Sequence, residues 1–168
     1  MLEVRVMGLA QDAVGQFVLL LKPVEEGPNG GKLLPIWIGQ QEATSILVAV
    51  EGAETPRPLS HDLMVRFVDS LDSRVDRVVV SRIEDRTYYA EIHLETPAGA
   101  RAIDARPSDA IAIARRAGAP IFVAEAVLEE AGVEDPTGET EGEVEEELTE
   151  EKLAEFRRFL DDVEPEDF

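Results

Sequence analysis

Thr87-Tyr88-Tyr89-Ala90-Glu91-Ile92-His93-Leu94-Glu95-Thr96 decides the fold class. Tyr88, Ala90, Ile92 and Leu94 fall on one face, and Tyr89, Glu91, His93 and Glu95 on the other. A period of two with one apolar face is a strand with one side buried. Val75–Ile83 precedes it with the run Val78-Val79-Val80, and only Glu84-Asp85-Arg86 lies between. Strands joined by so short a turn run antiparallel. Ala100–Ala105 predicts a third strand. Ser108–Ala117 then changes to helical spacing, with Ala110, Ile111, Ile113 and Ala114 apolar and Gly118 as the stop. A short strand at Ile121–Val123 and a helix at Ala124–Ala131, closed by Gly132, complete this half.

The preceding chain repeats the pattern, though not the residues. Glu3–Ala10 and Gln16–Val24 form a predicted hairpin. Lys32–Gly39 is a strand whose Pro35 suits an irregular or edge position. Gln40–Val50 reads as a helix, with Ala43, Ile46, Leu47 and Val50 as its apolar stripe and Gly52 as its C-cap. A second helix starts at Ser60, the expected N-cap, and runs to about Leu71. Leu63, Met64, Phe67, Val68 and Leu71 are its apolar stripe. The predicted class is α+β, with a mostly antiparallel sheet built from two three-strand-plus-helix halves. Residues 1–132 make the domain, 133–147 an acidic linker, and 148–168 an amphipathic helix and tail. In that tail Thr149 is the cap, and Leu153, Phe156, Leu160 and Val163 share one face. Such a helix needs a surface to cover, on its own core or on a second copy of the chain, so a homo-oligomer is expected.

Net charge is −20, but residues 125–168 hold 19 acidic and 3 basic side chains, so the tail carries most of it. An acidic chain is a poor non-specific binder of nucleic acid, and such a role needs a local basic patch or a bridging metal. No cysteine is present, which excludes disulfides, thiolate metal sites and cysteine nucleophiles. No run approaches membrane-spanning length and no secretory signal opens the chain, so a cytoplasmic protein is expected. No phosphate-binding P-loop, dinucleotide fingerprint, serine elbow or zinc-protease helix occurs.

The chemistry concentrates at helix starts. Arg57-Pro58-Leu59-Ser60-His61-Asp62 brings guanidinium, hydroxyl, imidazole and carboxylate into six residues. Arg106-Pro107-Ser108-Asp109 echoes it without the histidine. A helix N-terminus disfavours the imidazolium unless the neighbouring Asp62 offsets it, and a neutral His61 suits a general base. Arg57 and Arg106 beside unpaired helix N–H groups suit a phosphate or a carboxylate. Asp62, Asp109 and Glu42 are candidate oxygen ligands for Mg²⁺ or Mn²⁺. Each residue also has a plain reading. Ser60 and Ser108 cap helices, the acids complement helix dipoles, and the arginines pair with the nearby aspartates.

The chain also resembles the bifunctional nuclease domain family. The resemblance rests on Leu34-Pro35-Ile36-Trp37-Ile38-Gly39-Gln40 with Glu42-Ala43, and on Pro56-Arg57-Pro58-Leu59-Ser60-His61-Asp62. It continues through Tyr88-Tyr89-Ala90, Ala105-Arg106-Pro107-Ser108-Asp109-Ala110 and Gly118-Ala119-Pro120-Ile121. Phe156-Arg157-Arg158-Phe159-Leu160-Asp161 and Pro165-Glu166-Asp167-Phe168 resemble the tails of bacterial members. Ser60 stands where threonine is common, and Tyr88 where phenylalanine is common. The resemblance implies a small α+β domain and DNase and RNase activity, and so DNA or RNA as partner. It implies no settled mechanism.

Joined to the residue reading, it suggests a metal-assisted phosphodiesterase. His61, Asp62 and Asp109 would be catalytic, Asp62, Asp109 and Glu42 metal-binding, and Arg57, Arg106, Ser60 and Ser108 substrate-binding. The alternative is a non-catalytic anion-binding or regulatory module. In either case the acidic tail could compete for the arginines, and deleting residues 134–168 would then raise nucleic-acid affinity.

Overall fold

The computed structural model describes residues 1–25 and 31–135. The expected tail helix and most of the expected linker lie outside the described residues. Three antiparallel strands open the chain: β1 (Leu2–Gln11), β2 (Phe17–Pro23) and β3 (Lys32–Ile38). Helices α1 (Gln40–Glu51) and α2 (Ser60–Ser70) follow. A second meander, β4 (Arg74–Glu84), β5 (Thr87–Thr96) and β6 (Gly99–Ala105), leads into α3 (Pro107–Ala117). The described chain ends with β7 (Ile121–Val123), α4 (Glu125–Ala131) and β8 (Val133–Glu134).

The strands form one sheet in the order β6-β5-β4-β7-β1-β2-β3-β8. The two halves are therefore two meanders joined through β7, which runs parallel to β4 and antiparallel to β1. Every other ladder is antiparallel. The turn between β4 and β5 places both Asp85 and Arg86 at positive φ, which matches the right-handed twist of a hairpin. Pro35 pairs with β2 on one side, and β8 reaches only Lys32 and Leu33 on the other. Its missing N–H thus falls where β3 is an edge. The strand β8 and the Lys22–Asp135 ion pair carry the fold past residue 132 into the expected linker.

Alternation divides the core. Leu19 and Leu21 join the main cluster with Ile46, Ile111, Val78, Val80 and Leu128, while Val18 and Leu20 face a smaller one with Ala10 and Leu33. The run in β2 is apolar throughout because both of its faces are buried. The main cluster lies between the sheet and the helices, where α3 is central: Ala110, Ile111, Ala112, Ile113 and Ala114 are all buried. Its alanines let α1 and α2 approach closely.

Two predicted helix faces are corrected. In α2, Leu63 (48%), Met64 (44%) and Phe67 (60%) are exposed, as is Leu71 (68%) at its C-cap. His61 is the buried residue of this helix, and Val65 and Val68 pack on the core beside it. Residues 61, 65 and 68 share one side of a helix, so turning His61 inward turns the apolar stripe outward. In α1 the buried side holds Ala43, Ser45 and Ile46, and Leu47 and Val50 are exposed.

Candidate functional site

The starts of α1, α2 and α3 meet at one cleft of about 680 Å³, lined by Glu42, Ser45, Ser60, His61, Met64, Arg106 and Asp109 among others. Gly39 is the N-cap of α1, Leu59 of α2 and Arg106 of α3. The expected serine caps are thus displaced by one or two residues. Ser60 is the first residue of α2 and lines the cleft, whereas Ser108 is buried inside α3 and does not line it. Pro107 occupies the first turn of α3, where a missing N–H costs nothing.

A hydrogen-bonded series crosses the cleft. Ser45 Oγ lies 2.7 Å from His61 Nδ1, and His61 Nε2 lies 3.0 Å from Asp109 Oδ1. Arg106 Nε donates to Asp109 Oδ2 at 2.8 Å, and Arg106 Nη1 reaches Glu42 Oε1 at 3.0 Å. Glu42 can fold back this far because residue 39 is glycine: a Cβ there would stand 2.3 Å from Glu42 Oε2. Burial pushes the Asp109 carboxyl up, but the Arg106 and His61 hydrogen bonds and charges outweigh it and hold the pKa below the ordinary value. The Asp109 hydrogen bond and charge raise Arg106 in return. Asp109 is therefore ionised at neutral pH and can only accept. In the neutral ring the Nε2–H then donates to Asp109, and Nδ1 accepts from the Ser45 hydroxyl.

Asp62 and Arg57 belong elsewhere. Asp62 Oδ2 accepts the Leu59 N–H at 2.7 Å, and Oδ1 accepts from Arg116 Nε. Burial raises the Asp62 carboxyl, and Arg116, the Leu59 N–H and the charge of Arg66 lower it further, so the net shift is downward. Arg116 also donates to the carbonyls of Ala112 at 3.0 Å and Ser45 at 3.1 Å, tying all three helices together. Asp62 and Arg57 line a second cleft behind α2, with Arg66, Arg115 and Arg116.

The expected metal set does not share a centre. Among the described residues no group of three or more His, Cys, Asp or Glu side chains is placed to hold a metal ion. Asp62 turns to Arg116, Glu42 commits one oxygen to Arg106, and Asp109 accepts from Arg106 with both of its oxygens. As arranged here, Asp62, Asp109 and Glu42 do not fit one Mg²⁺ or Mn²⁺.

Of the expected residues, His61, Asp109, Arg106, Glu42 and Ser60 come together. Sequence reading missed Ser45 and Arg116. Ser45 lay unmarked beside a stripe assigned to Ala43 and Ile46. Arg116 sits in the last turn of α3, where a basic residue is ordinary dipole complement.

Glu42, Ser60, His61, Arg106 and Asp109 lie in the sequence blocks that carry the family resemblance, and Ser45 and Arg116 lie outside them. A sequence model of the bifunctional nuclease domain matches residues 19–136, most of the chain. The chain belongs to the bifunctional nuclease domain family. An uncharacterized protein of Mycobacterium tuberculosis is 40% identical over 167 residues, covering 99% of this chain and 97% of that protein. Bifunctional nuclease 1 of Arabidopsis thaliana is 31% identical over 96 residues, 55% of this chain and 30% of the plant protein. Bifunctional nuclease 2 of the same plant is 31% identical over 96 residues, and this chain covers 29% of it. No helix among the described residues is long and apolar enough to cross a membrane.

Proposed function

We propose that this chain is a nuclease that cleaves phosphodiester bonds of DNA and RNA at the cleft between the starts of α1, α2 and α3. The observation that carries the reading is the series Ser45–His61–Asp109–Arg106. An ionised aspartate fixing one ring nitrogen leaves the other as a base for a hydroxyl, the working order of a Ser-His-Asp arrangement with the ring nitrogens exchanged. Ser45 Oγ attacks the phosphorus as its proton passes to His61 Nδ1. The P–O bond to the leaving sugar oxygen breaks, and the imidazolium returns the proton to that oxygen. The same ring then takes a proton from the water that hydrolyses the phosphoseryl ester and frees Ser45. Asp109 stabilises the imidazolium. Arg106, exposed at the mouth of the cleft, would exchange part of its bonding to Asp109 and Glu42 for the phosphate charge, and Ser60 would add a hydroxyl. Asp62 acts indirectly, by holding Arg116 on the backbone of Ser45.

The test is cleavage of labelled single-stranded DNA and RNA by purified protein, with His61→Ala and Ser45→Ala alongside. Each variant is expected to lose roughly 10²- to 10⁴-fold in rate, the usual worth of a positioned base. Dialysis against EDTA and return of Mg²⁺ or Mn²⁺ in the same assay measures metal dependence. Cleavage that persists in both variants places the activity in another site or another protein.

The second reading, an anion-binding module without turnover, is favoured by one observation: both ring nitrogens of His61 are already engaged. Under it, binding is retained and no product forms. Self-association is part of the proposal for the partner, because the uncovered α2 stripe is a surface a second copy can cover. Sedimentation of wild type against Phe67→Glu tests it, and a wild-type monomer at every concentration ends it.

A further inference from the structure

We infer that the cleft behind α2 is a second phosphate-binding site, separate from the His61 cleft, which takes consecutive phosphates of a polyanion. It encloses about 540 Å³ between the end of α1, the 52–58 segment, α2 and the end of α3. Four guanidiniums line it, those of Arg57, Arg66, Arg115 and Arg116, against the single carboxylate of Asp62. Arg116 is spent on Asp62. Arg57, Arg66 and Arg115 form no ion pair or side-chain hydrogen bond among the described residues, although Arg66 acts on Asp62 through its charge.

In a chain of net charge −20, carboxylates are abundant, yet the folded domain sends only one to this cleft. Three like charges left to repel each other are a cost without a counter-ion, and an incoming anion removes it. All four cations are arginine, whose flat fork matches phosphate oxygens in pairs. Arg57 precedes Pro58, which restricts its backbone and lowers the ordering cost of binding.

A neighbouring hollow extends the line. It shares Arg115 and adds Arg5, whose Nε is buried without a partner among the described residues. Glu3 lies in that hollow too and opposes an anion there, so the centre of the site is Arg57–Arg66–Arg115. Phosphates in sequence occur in a nucleic-acid strand and in free polyphosphates. The nucleic-acid source rests on the proposed nuclease function, while the phosphate chemistry does not.

The experiment uses the full chain and the triple variant Arg57→Gln/Arg66→Gln/Arg115→Gln. Binding of fluorescent oligo-dT is followed by anisotropy across a salt series, with tripolyphosphate and poly-glutamate as competitors. Three lost phosphate contacts should lower the slope of log K against log salt by about 2, at roughly 0.7 per contact for a single strand. Tripolyphosphate should displace the probe and poly-glutamate of equal charge should not. If tripolyphosphate binds directly and oligo-dT does not, the site stands with free polyphosphate as its source. An unchanged slope and affinity in the triple variant overturns the site, as does equal competition by poly-glutamate. Wild type that binds normally but cleaves nothing defeats the nuclease proposal and leaves this one intact.

Discussion

Arg116→Ala is the perturbation with the widest reach. The Arg116 side chain is 8% exposed, and its guanidinium serves Asp62, the Ala112 carbonyl and the Ser45 carbonyl. The two carbonyls also accept within their own helices, so each loses only a second, weaker bond. Asp62 loses more, since a hydrogen bond to a charged group is worth about 1.5–3 kcal/mol. Its side chain is 29% exposed and keeps the Leu59 N–H, so water recovers part of the loss. The total comes to about 2–3 kcal/mol, below the roughly 3–5 kcal/mol of breaking a fully buried pair. For a domain of this size that is a fall in Tm of about 5–10 °C, at roughly 2–4 °C per kcal/mol. Urea denaturation should show a lower midpoint with an unchanged slope. Arg116→Lys restores the charge but not the fork, and should regain less than half of the loss. In a cycle with Asp62→Asn, the double variant should cost about 1–2 kcal/mol less than the sum of the singles, the coupling expected of residues in direct contact. A Tm within about 2 °C of wild type for Arg116→Ala would show that the three-helix tie carries no stability.

Other outcomes follow from the same geometry. Asp62 and Asp109 both titrate below their ordinary value in the fold. Their stabilisation is therefore complete above the unfolded value, about 3.9, and lost as pH falls through the lower folded values. Stability of the wild type should drop steeply below about pH 4 and that of Asp62→Asn/Asp109→Asn less steeply; equal slopes would remove these carboxylates from the acid response. Gly132→Ala places a Cβ 2.2 Å from the Leu128 carbonyl oxygen, a clash with backbone that cannot rotate away. It should cost about 1–3 kcal/mol by urea titration, and a neutral result would mean that the end of α4 shifts freely. Removing residues 136–168, which hold 14 acidic and 3 basic side chains, should tighten oligonucleotide binding at low salt. The cut must spare Asp135, which holds Lys22, and unchanged affinity would separate the tail from the arginines.

The sheet was legible because a strand records its burial in every second residue. Tyr88, Ala90, Ile92 and Leu94 on one side of β5 leave no other register. The helices were less legible, because an apolar stripe states what would be buried if nothing else competed. In α2 the competitor is a polar side chain with two partners, and one of those, Ser45, belongs to a helix read for its alanine and isoleucine. The site residues were found as chemistry, and their grouping was not. Asp62 and His61 are adjacent in sequence, yet adjacent helical residues point about 100° apart and here serve different clefts. Only the packing of α1 and α3 against α2 settles which partner each one meets.

That packing makes a last claim about α2 itself. A helix that buries one histidine and leaves Leu63, Met64, Phe67 and Leu71 in solvent violates the pattern by which helices usually dock. Each such side chain, about half exposed, forgoes about half of the roughly 1.5–3 kcal/mol that full burial would give. The helix is held by Val65, Val68 and a few polar ties, from His61 to Ser45 and Asp109 and from Asp62 to Arg116. Such an element belongs to the low end of local stability, whereas α3, buried along five consecutive residues, belongs to the high end. Native-state hydrogen exchange should therefore open α2 before α1 and α3, and His61→Ala should speed α2 alone. If the amides of α2 exchange as slowly as those of α3, something covers the stripe in solution, and exchange repeated across protein concentrations would show whether that cover is a second copy.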